Sequence, residues 1–223
     1  MNHSISSRPF KDSIYQQFAK IGKTLASPKR LELLDLLSQS PKTVETLARE
    51  TTMSIANVSQ HLQTMLEAQL VRFHKQGTYA LYELSDQNVS DFLFKLRKLG
   101  EHQLAVVPKL QKEFFGNFDQ TEPVNIHDLM ERLQSKKVKL IDVRPAQEYE
   151  AEHIPEAASF PIYELEKHIS ELPKDKEIII YCRGPYCVYA AQAVELLRSH
   201  GFEALRLEGG IQDWREIQER KLH

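Results

Sequence analysis

Two cysteines stand five positions apart in Tyr181-Cys182-Arg183-Gly184-Pro185-Tyr186-Cys187-Val188, and they are the only two in the 223-residue chain. An apolar run of strand length, Glu177–Tyr181, precedes them, and an amphipathic stretch of helical period follows over 188–199. A cysteine at the end of a buried strand and ahead of a helix faces loop amides and the positive end of the helix. Both favour thiolate over thiol, and Arg183 adds a formal positive charge. Thiolate is the nucleophilic form, so Cys182 is the expected catalytic residue, carried by a loop of Arg183, Gly184, Pro185, Tyr186 and Cys187. Gly184 lets the backbone curl around the sulfur and Pro185 restricts it. Cys187 has two readings at this point: a thiol that attacks a modified Cys182, or a small apolar residue at a helix start. Two cysteines cannot staple a small disulfide framework, so reactive chemistry is the better use for them.

A second constellation lies in the other half of the chain. In Ser54-Ile-Ala-Asn-Val-Ser-Gln-His-Leu-Gln-Thr-Met-Leu-Glu-Ala68, the residues Val58, Leu62, Met65 and Leu66 form one apolar stripe of a helix. The opposite face carries Ala56, Asn57, Gln60 and Thr64, flanked by Ser59, His61 and Gln63. That face is short, polar and nearly uncharged, whereas a merely solvated face is usually rich in Lys and Glu. Asn and Gln can make paired hydrogen bonds to adenine in the major groove. Ser54 is suited to cap the helix. Gln76-Gly77 separates two alternating segments and predicts a hairpin, whose Arg72, His74 and Lys75 suit phosphate contacts, as do nearby Lys42 and Arg49. The expected DNA-binding set is Ser54, Asn57, Ser59, Gln60, His61, Gln63, Arg72 and Lys75.

The elements that must position these residues fall into two patterns. From Lys11 to about Phe115 the period is helical, broken once by the hairpin, with a short helix and turn at 43–52 ahead of the 54–68 helix. Phe115–Pro123 supplies turn formers without periodicity and reads as a linker. Beyond it, a helix near 126–135 and strands at 138–143, 177–181 and 203–207 alternate with helices, which predicts a parallel α/β sheet. The fold class is therefore two domains, mainly α with a winged hairpin (α+β), then α/β. Charge follows the division. Residues 1–120 carry 15 Lys and Arg against 12 Asp and Glu, and residues 121–223 carry 14 against 19, so a mildly basic half precedes an acidic one. A composition of 41% hydrophobic and 27% charged residues excludes fibrous and disordered classes. No apolar run reaches the roughly 20 residues that span a bilayer, and Met1–Pro9 lacks the pattern of a secretory signal, so no membrane and a cytoplasmic location are expected.

Pro28-Lys-Arg-Leu-Glu-Leu-Leu, Ser54 with Val58-Ser59-Gln60-His61-Leu62, Gln69-Leu70-Val71 and the hairpin together resemble the ArsR family of winged-helix repressors. The resemblance implies a DNA-binding and dimerisation domain over 11–115. The 54–68 helix would enter the major groove, the hairpin would be the wing, and the helix after Asp86 (Phe92, Leu96, Leu99, Leu104) would pair with the first helix in a homodimer. Relatives that sense metal do so through cysteines before the recognition helix or Asp/His/Glu sets on the dimer helices. Here 41–51 has no Cys or His, and His102 stands alone in the 86–113 helix, so no metal site is expected.

The second half resembles the rhodanese family over 124–220, after a linker at 116–123. The motifs are Leu140-Ile-Asp142-Val-Arg144-Pro-Ala-Gln-Glu148-Tyr, Glu152-His-Ile-Pro155, the Cys182 loop and Leu207-Glu-Gly-Gly210 through Trp214. The resemblance implies that Cys182 accepts sulfane sulfur from a donor such as thiosulfate or polysulfide, with Asp142 and Arg144 supporting the loop and no cofactor. Phosphatase and arsenate chemistry on related folds needs an arginine six positions after the cysteine, where this chain has Val188. An inert scaffold usually loses the cysteine. The combined expectation is a repressor that binds an A·T-rich inverted-repeat operator and senses reactive sulfur. The alternative is a sulfurtransferase whose DNA-binding domain serves autoregulation.

Overall fold

A computed structural model describes residues 7–116 and 122–221. Most of the expected linker, 117–121, lies outside the described residues, as do residues 1–6. The chain forms two compact units, Met1–Arg97 and Lys98–His223.

In the first unit, α1 (Ser7–Leu25) is followed by α2 (Pro28–Leu37), α3 (Val44–Thr51) and α4 (Ile55–Glu67). Each of the last three starts where a hydroxyl can take an orphan amide: Ser27, Thr43 and Ser54 accept from the backbone N–H groups of Arg30, Thr46 and Asn57. Pro28 at the head of α2 sacrifices no helical hydrogen bond. Thr52, at φ 55°, closes α3 in the left-handed region and turns the chain towards Ser54. The wing is β1 (Val71–Gln76) paired antiparallel with β2 (Tyr79–Leu84) across Gly77-Thr78, with Gly77 at φ +60°. Leu33, Leu34, Leu47, Val58, Leu62 and Met65 are fully buried in one core, each worth about 1.5–3 kcal/mol of transfer free energy. This core holds α4 down by its apolar stripe and leaves the polar face outward. On α1, Phe10, Ile14, Tyr15, Phe18 and Ile21 form an exposed apolar stripe.

The stretch expected as one helix over 86–113 is two, α5 (Gln87–Gln103) and α6 (Val106–Phe115). Pro108 accounts for the break: within a continuous helix its ring would meet the carbonyl of Leu104, and 104 is non-helical. The units divide inside α5, so its last residues and α6 belong to the second unit.

That unit continues with α7 (Ile126–Gln134), β3 (Val138–Asp142), α8 (Ala146–Ala151), β4 (Ala158–Ser159) and α9 (Leu165–His168). After a 3-10 turn come β5 (Glu177–Tyr181), α10 (Val188–Ser199), β6 (Ala204–Arg206) and α11 (Ile211–Lys221). The sheet is parallel, in the order β4-β3-β5-β6. Apolar clusters lie on both faces, one around Ile141, Ile178, Ile180 and Val194, the other around Leu140, Ile179, Leu129 and Ile211. Burial on both sides is why β5 reads Ile-Ile-Ile rather than alternating. The register pairs Asp142 with Tyr181. The segments after β3 and β5, beginning Val143-Arg144 and Cys182-Arg183, therefore leave the sheet side by side at its carboxyl edge, where open α/β sheets place their sites.

Candidate functional site

Cys182 is the first residue after β5, and it is 1% exposed. The loop is short because Cys187 already precedes α10, and the Cys187 N–H donates to the Gly184 carbonyl at 3.2 Å. The two cysteines are joined in a disulfide, with their Cα atoms 6.2 Å apart. Cys187 is thus within bonding distance of Cys182, and it is also half-buried at the start of α10. Pro185 is buried and Tyr186 is exposed at the tip.

Two buried ion pairs brace the strand ends. Arg144 and Asp142 are both 0% exposed. The Arg144 Nε lies 3.1 Å from both carboxylate oxygens, a terminal nitrogen lies 2.6 Å from Oδ2, and the Arg144 backbone N–H donates to Oδ1 at 2.9 Å. The same guanidinium donates to the Glu152 carbonyl at 2.7 Å. Burial works against its charge, yet the hydrogen bond and Coulombic attraction of Asp142 hold Arg144 above the usual range. Burial, and then the negative charge of Asp142, push the Tyr181 phenol far above its ordinary value, and the hydroxyl accepts the Ile154 N–H at 3.0 Å. Asp142 and Arg144 thus fasten the end of β3 to the 152–154 stretch.

The loop has other supports, to which the sequence reading assigned no role. Arg183 donates to Glu148 at 2.6, 2.9 and 3.1 Å, and Glu148 is fully buried. A carboxylate therefore answers the positive charge that Arg183 was expected to offer Cys182. A Cβ on Gly210 would stand 2.6 Å from the Arg183 carbonyl oxygen and 2.8 Å from that of Cys182, so glycine is needed for this approach. The Gly210 N–H donates to Asp213 at 3.1 Å. The Glu148 and Gly210 signals were present in the quoted motifs, but their partner in each case is the loop, far away in sequence.

In the first unit, Asn57, Ser59, Gln60 and Gln63 are exposed on α4, and His61 is half-buried. Ser54 spends its hydroxyl on the cap, and the Gln63 amide donates to Glu67 at 3.2 Å. Burial, and then Arg30, hold the His61 imidazole below its usual range. On the wing, Lys75 is exposed, while Arg72 pairs with Glu83 at 3.0 Å and His74 lies 3.4 Å from the same carboxylate. Lys42 corrects an expectation: it is 5% exposed, its ammonium is 3.2 Å from Ser40 Oγ, and its backbone bridges to Tyr82. It supports the wing from inside and is not available to a phosphate. Arg49 is exposed.

The family described as "Bacterial regulatory protein, arsR family" matches residues 27–72, and "Rhodanese-like domain" matches 125–217. The chain is 36% identical over 205 residues to the HTH-type transcriptional regulator Rv0324 of Mycobacterium tuberculosis, covering 92% of this chain and 90% of that one. A sulfurtransferase of Allochromatium vinosum is 34% identical over 92 residues, which is 41% of this chain and 85% of that protein. The arsenical resistance operon repressor of Bacillus subtilis is 32% identical over 97 residues, covering 41% of this chain and 92% of the repressor. The two family models together take in the helix-turn-helix and the rhodanese-like unit, and the match to Rv0324 runs along nearly the whole chain. The chain belongs to the ArsR family of helix-turn-helix transcriptional regulators, in a form that carries a rhodanese-like domain.

Proposed function

We propose that this regulator is a homodimeric repressor that responds to sulfane sulfur at Cys182. The observation that carries the reading is the loop itself: two cysteines, 6.2 Å apart at Cα and able to bridge, in a chain whose other unit is a DNA-binding module. Cys182 thiolate attacks the sulfane sulfur of a hydropersulfide or polysulfide donor, the donor leaves as its thiol, and Cys182 becomes a persulfide. Cys187 thiolate then attacks the inner sulfur, Cys182 Sγ, and expels hydrosulfide as the disulfide closes. In sum, two protein thiols and one hydropersulfide give a disulfide, a thiol and hydrogen sulfide. Glu148 already engages Arg183, so less of that positive charge is left for an anionic donor, whether thiosulfate or polysulfide.

On the DNA side, the exposed Asn57, Gln60 and Gln63, flanked by Ser54, Ser59 and His61, read adenine-containing steps of an A·T-rich inverted repeat. Arg72 and Lys75 position the wing on phosphates. The apolar stripe of α1 supports a second copy as its cover. Operator binding with and without polysulfide, for wild type and Cys182→Ser, tests the reading. Wild-type affinity should change at least tenfold, about 1.4 kcal/mol of coupling, and the variant should not respond. The likeness to the Allochromatium sulfurtransferase favours a second reading, sulfur transfer with the DNA-binding unit serving autoregulation. It would prevail if Cys182 loads and passes on sulfur while operator affinity stays constant.

A further inference from the structure

The cysteine loop is fastened to α5 and α6 by contacts within the second unit. The Tyr186 hydroxyl donates to Glu101 Oε1 on α5 at 2.8 Å, and Gln111 on α6 donates to the Pro185 carbonyl at 3.4 Å. Behind the loop, Gly210 lies against the carbonyls of Cys182 and Arg183, its N–H donates to Asp213, and Asp213 pairs with Lys98 at 3.0 Å. Lys98 and Glu101 are one turn apart on α5, with the ammonium 3.5 Å from the carboxylate. Two lines of contact from opposite ends of the loop therefore meet on a single turn of α5. One starts at the strand end, beside Cys182, and the other at the tip, beside Cys187. The helix runs unbroken from Gln87, a short step after the wing strand β2 ends at Leu84.

We propose that the Tyr186–Glu101 hydrogen bond transmits the thiol state of Cys182 and Cys187 to α5. This rests on the loop being the sulfur-responsive element proposed above, and it names the contact that reads it. With the bridge closed, Tyr186 sits inside a ring of six residues, next to the bonded Cys187, and its hydroxyl is delivered to Glu101. A dithiol reductant opens the ring. It supplies two electrons and two protons, becomes its own cyclic disulfide, and leaves Cys182 and Cys187 as thiols. Residues 184–187 then regain freedom, and water competes for the Tyr186 hydroxyl. The Lys98–Asp213 contact stays, because Gly210 leans on Cys182 and Arg183, which the buried Glu148 holds in place, rather than on the tip. The two lines of contact thus part company: one moves with the loop, and the other holds the helix as a fixed reference.

The test is hydrogen–deuterium exchange of the full chain, bridged and dithiothreitol-reduced, read in peptides covering 98–103. In wild type, reduction should raise exchange there about fivefold, the effect of losing one hydrogen bond that staples a helix end. Tyr186→Phe and Glu101→Ala should exchange quickly in both states while intact mass shows that the bridge still closes. Cys182→Ser should match reduced wild type. Peptides from β3 and β5, unchanged throughout, establish that the variants are folded. Equal exchange of 98–103 in both wild-type states, or a difference that survives Tyr186→Phe, overturns the proposal. Operator affinity is a separate readout: an exchange difference without an operator response keeps the contact and refutes the sensor.

Discussion

Asp142→Asn isolates the buried pair under the cysteine loop. The substitution keeps the shape of the side chain and removes its charge, leaving a guanidinium that is 0% exposed without its counter-ion. Arg144 cannot relieve this by releasing its proton, because the ordinary arginine range lies far above neutrality. The Glu152 carbonyl, 2.7 Å from the guanidinium, is a neutral acceptor and does not replace the lost charge. Breaking one partner of a buried pair costs about 3–5 kcal/mol, and with a urea dependence of about 2 kcal/mol/M the midpoint should fall by roughly 2 M. Trp214 is the only tryptophan, sits half-buried on α11, and reports on this unit by fluorescence. The double variant Asp142→Asn/Arg144→Met removes both charges and should recover part of the loss, since no unpaired charge is left and the amide at position 142 is the remaining cost. A single-variant shift below about 1 kcal/mol, or a double variant as weak as the single, would refute the claim that an uncompensated charge is the cause.

Gly210→Ala forces a Cβ into the Cys182 and Arg183 carbonyls; it should cost about 1–3 kcal/mol and change the alkylation rate of reduced Cys182, and wild-type values for both would contradict the packing argument. Gln60→Ala should lose about 1–3 kcal/mol of discrimination at one base pair, measured by competition among operator variants, whereas G-rich half-sites from random-DNA selection would sink this assignment of α4. Because Glu83 already binds Arg72, Arg72→Ala should reduce the salt slope of DNA binding by less than the roughly 0.9 of a full phosphate contact, and Glu83→Ala should tighten binding to all sequences alike. For His61, the folded state holds the imidazole below its usual value, so the unfolded chain binds the proton more readily. Stability of the first unit should therefore fall as pH drops through and below the ordinary histidine range, and be constant above it. Urea unfolding at about pH 5 and pH 7.5 checks this, with His61→Gln expected to show a smaller difference.

Local pattern was enough to find most of the elements. Strand β5 and helix α10 lie where the apolar run and the amphipathic period put them, and α4 begins at the capping Ser54. The break at 104–105 is also written in the chain, in Pro108, but the leucine periodicity of the flanking segments runs across it. Strand β4, two residues long, carries no pattern of its own and exists because β3 pairs with it.

What the sequence determined by itself was the inventory: a helix with a base-reading face, a hairpin wing, a cysteine at a strand end and a second one five residues on. Each of these follows from periodicity or from chain neighbours, which act over a few residues. Tertiary structure decided what those side chains face. It turned Arg183 onto Glu148, 35 positions away, placed Gly210 against the loop backbone, tied Tyr186 to Glu101, and buried Lys42 under the wing. These partners are distant in sequence, and no local rule distinguishes a lysine that meets solvent from one that meets a core. Charge, burial and close approach are properties of the surroundings, and only the folded chain supplies the surroundings.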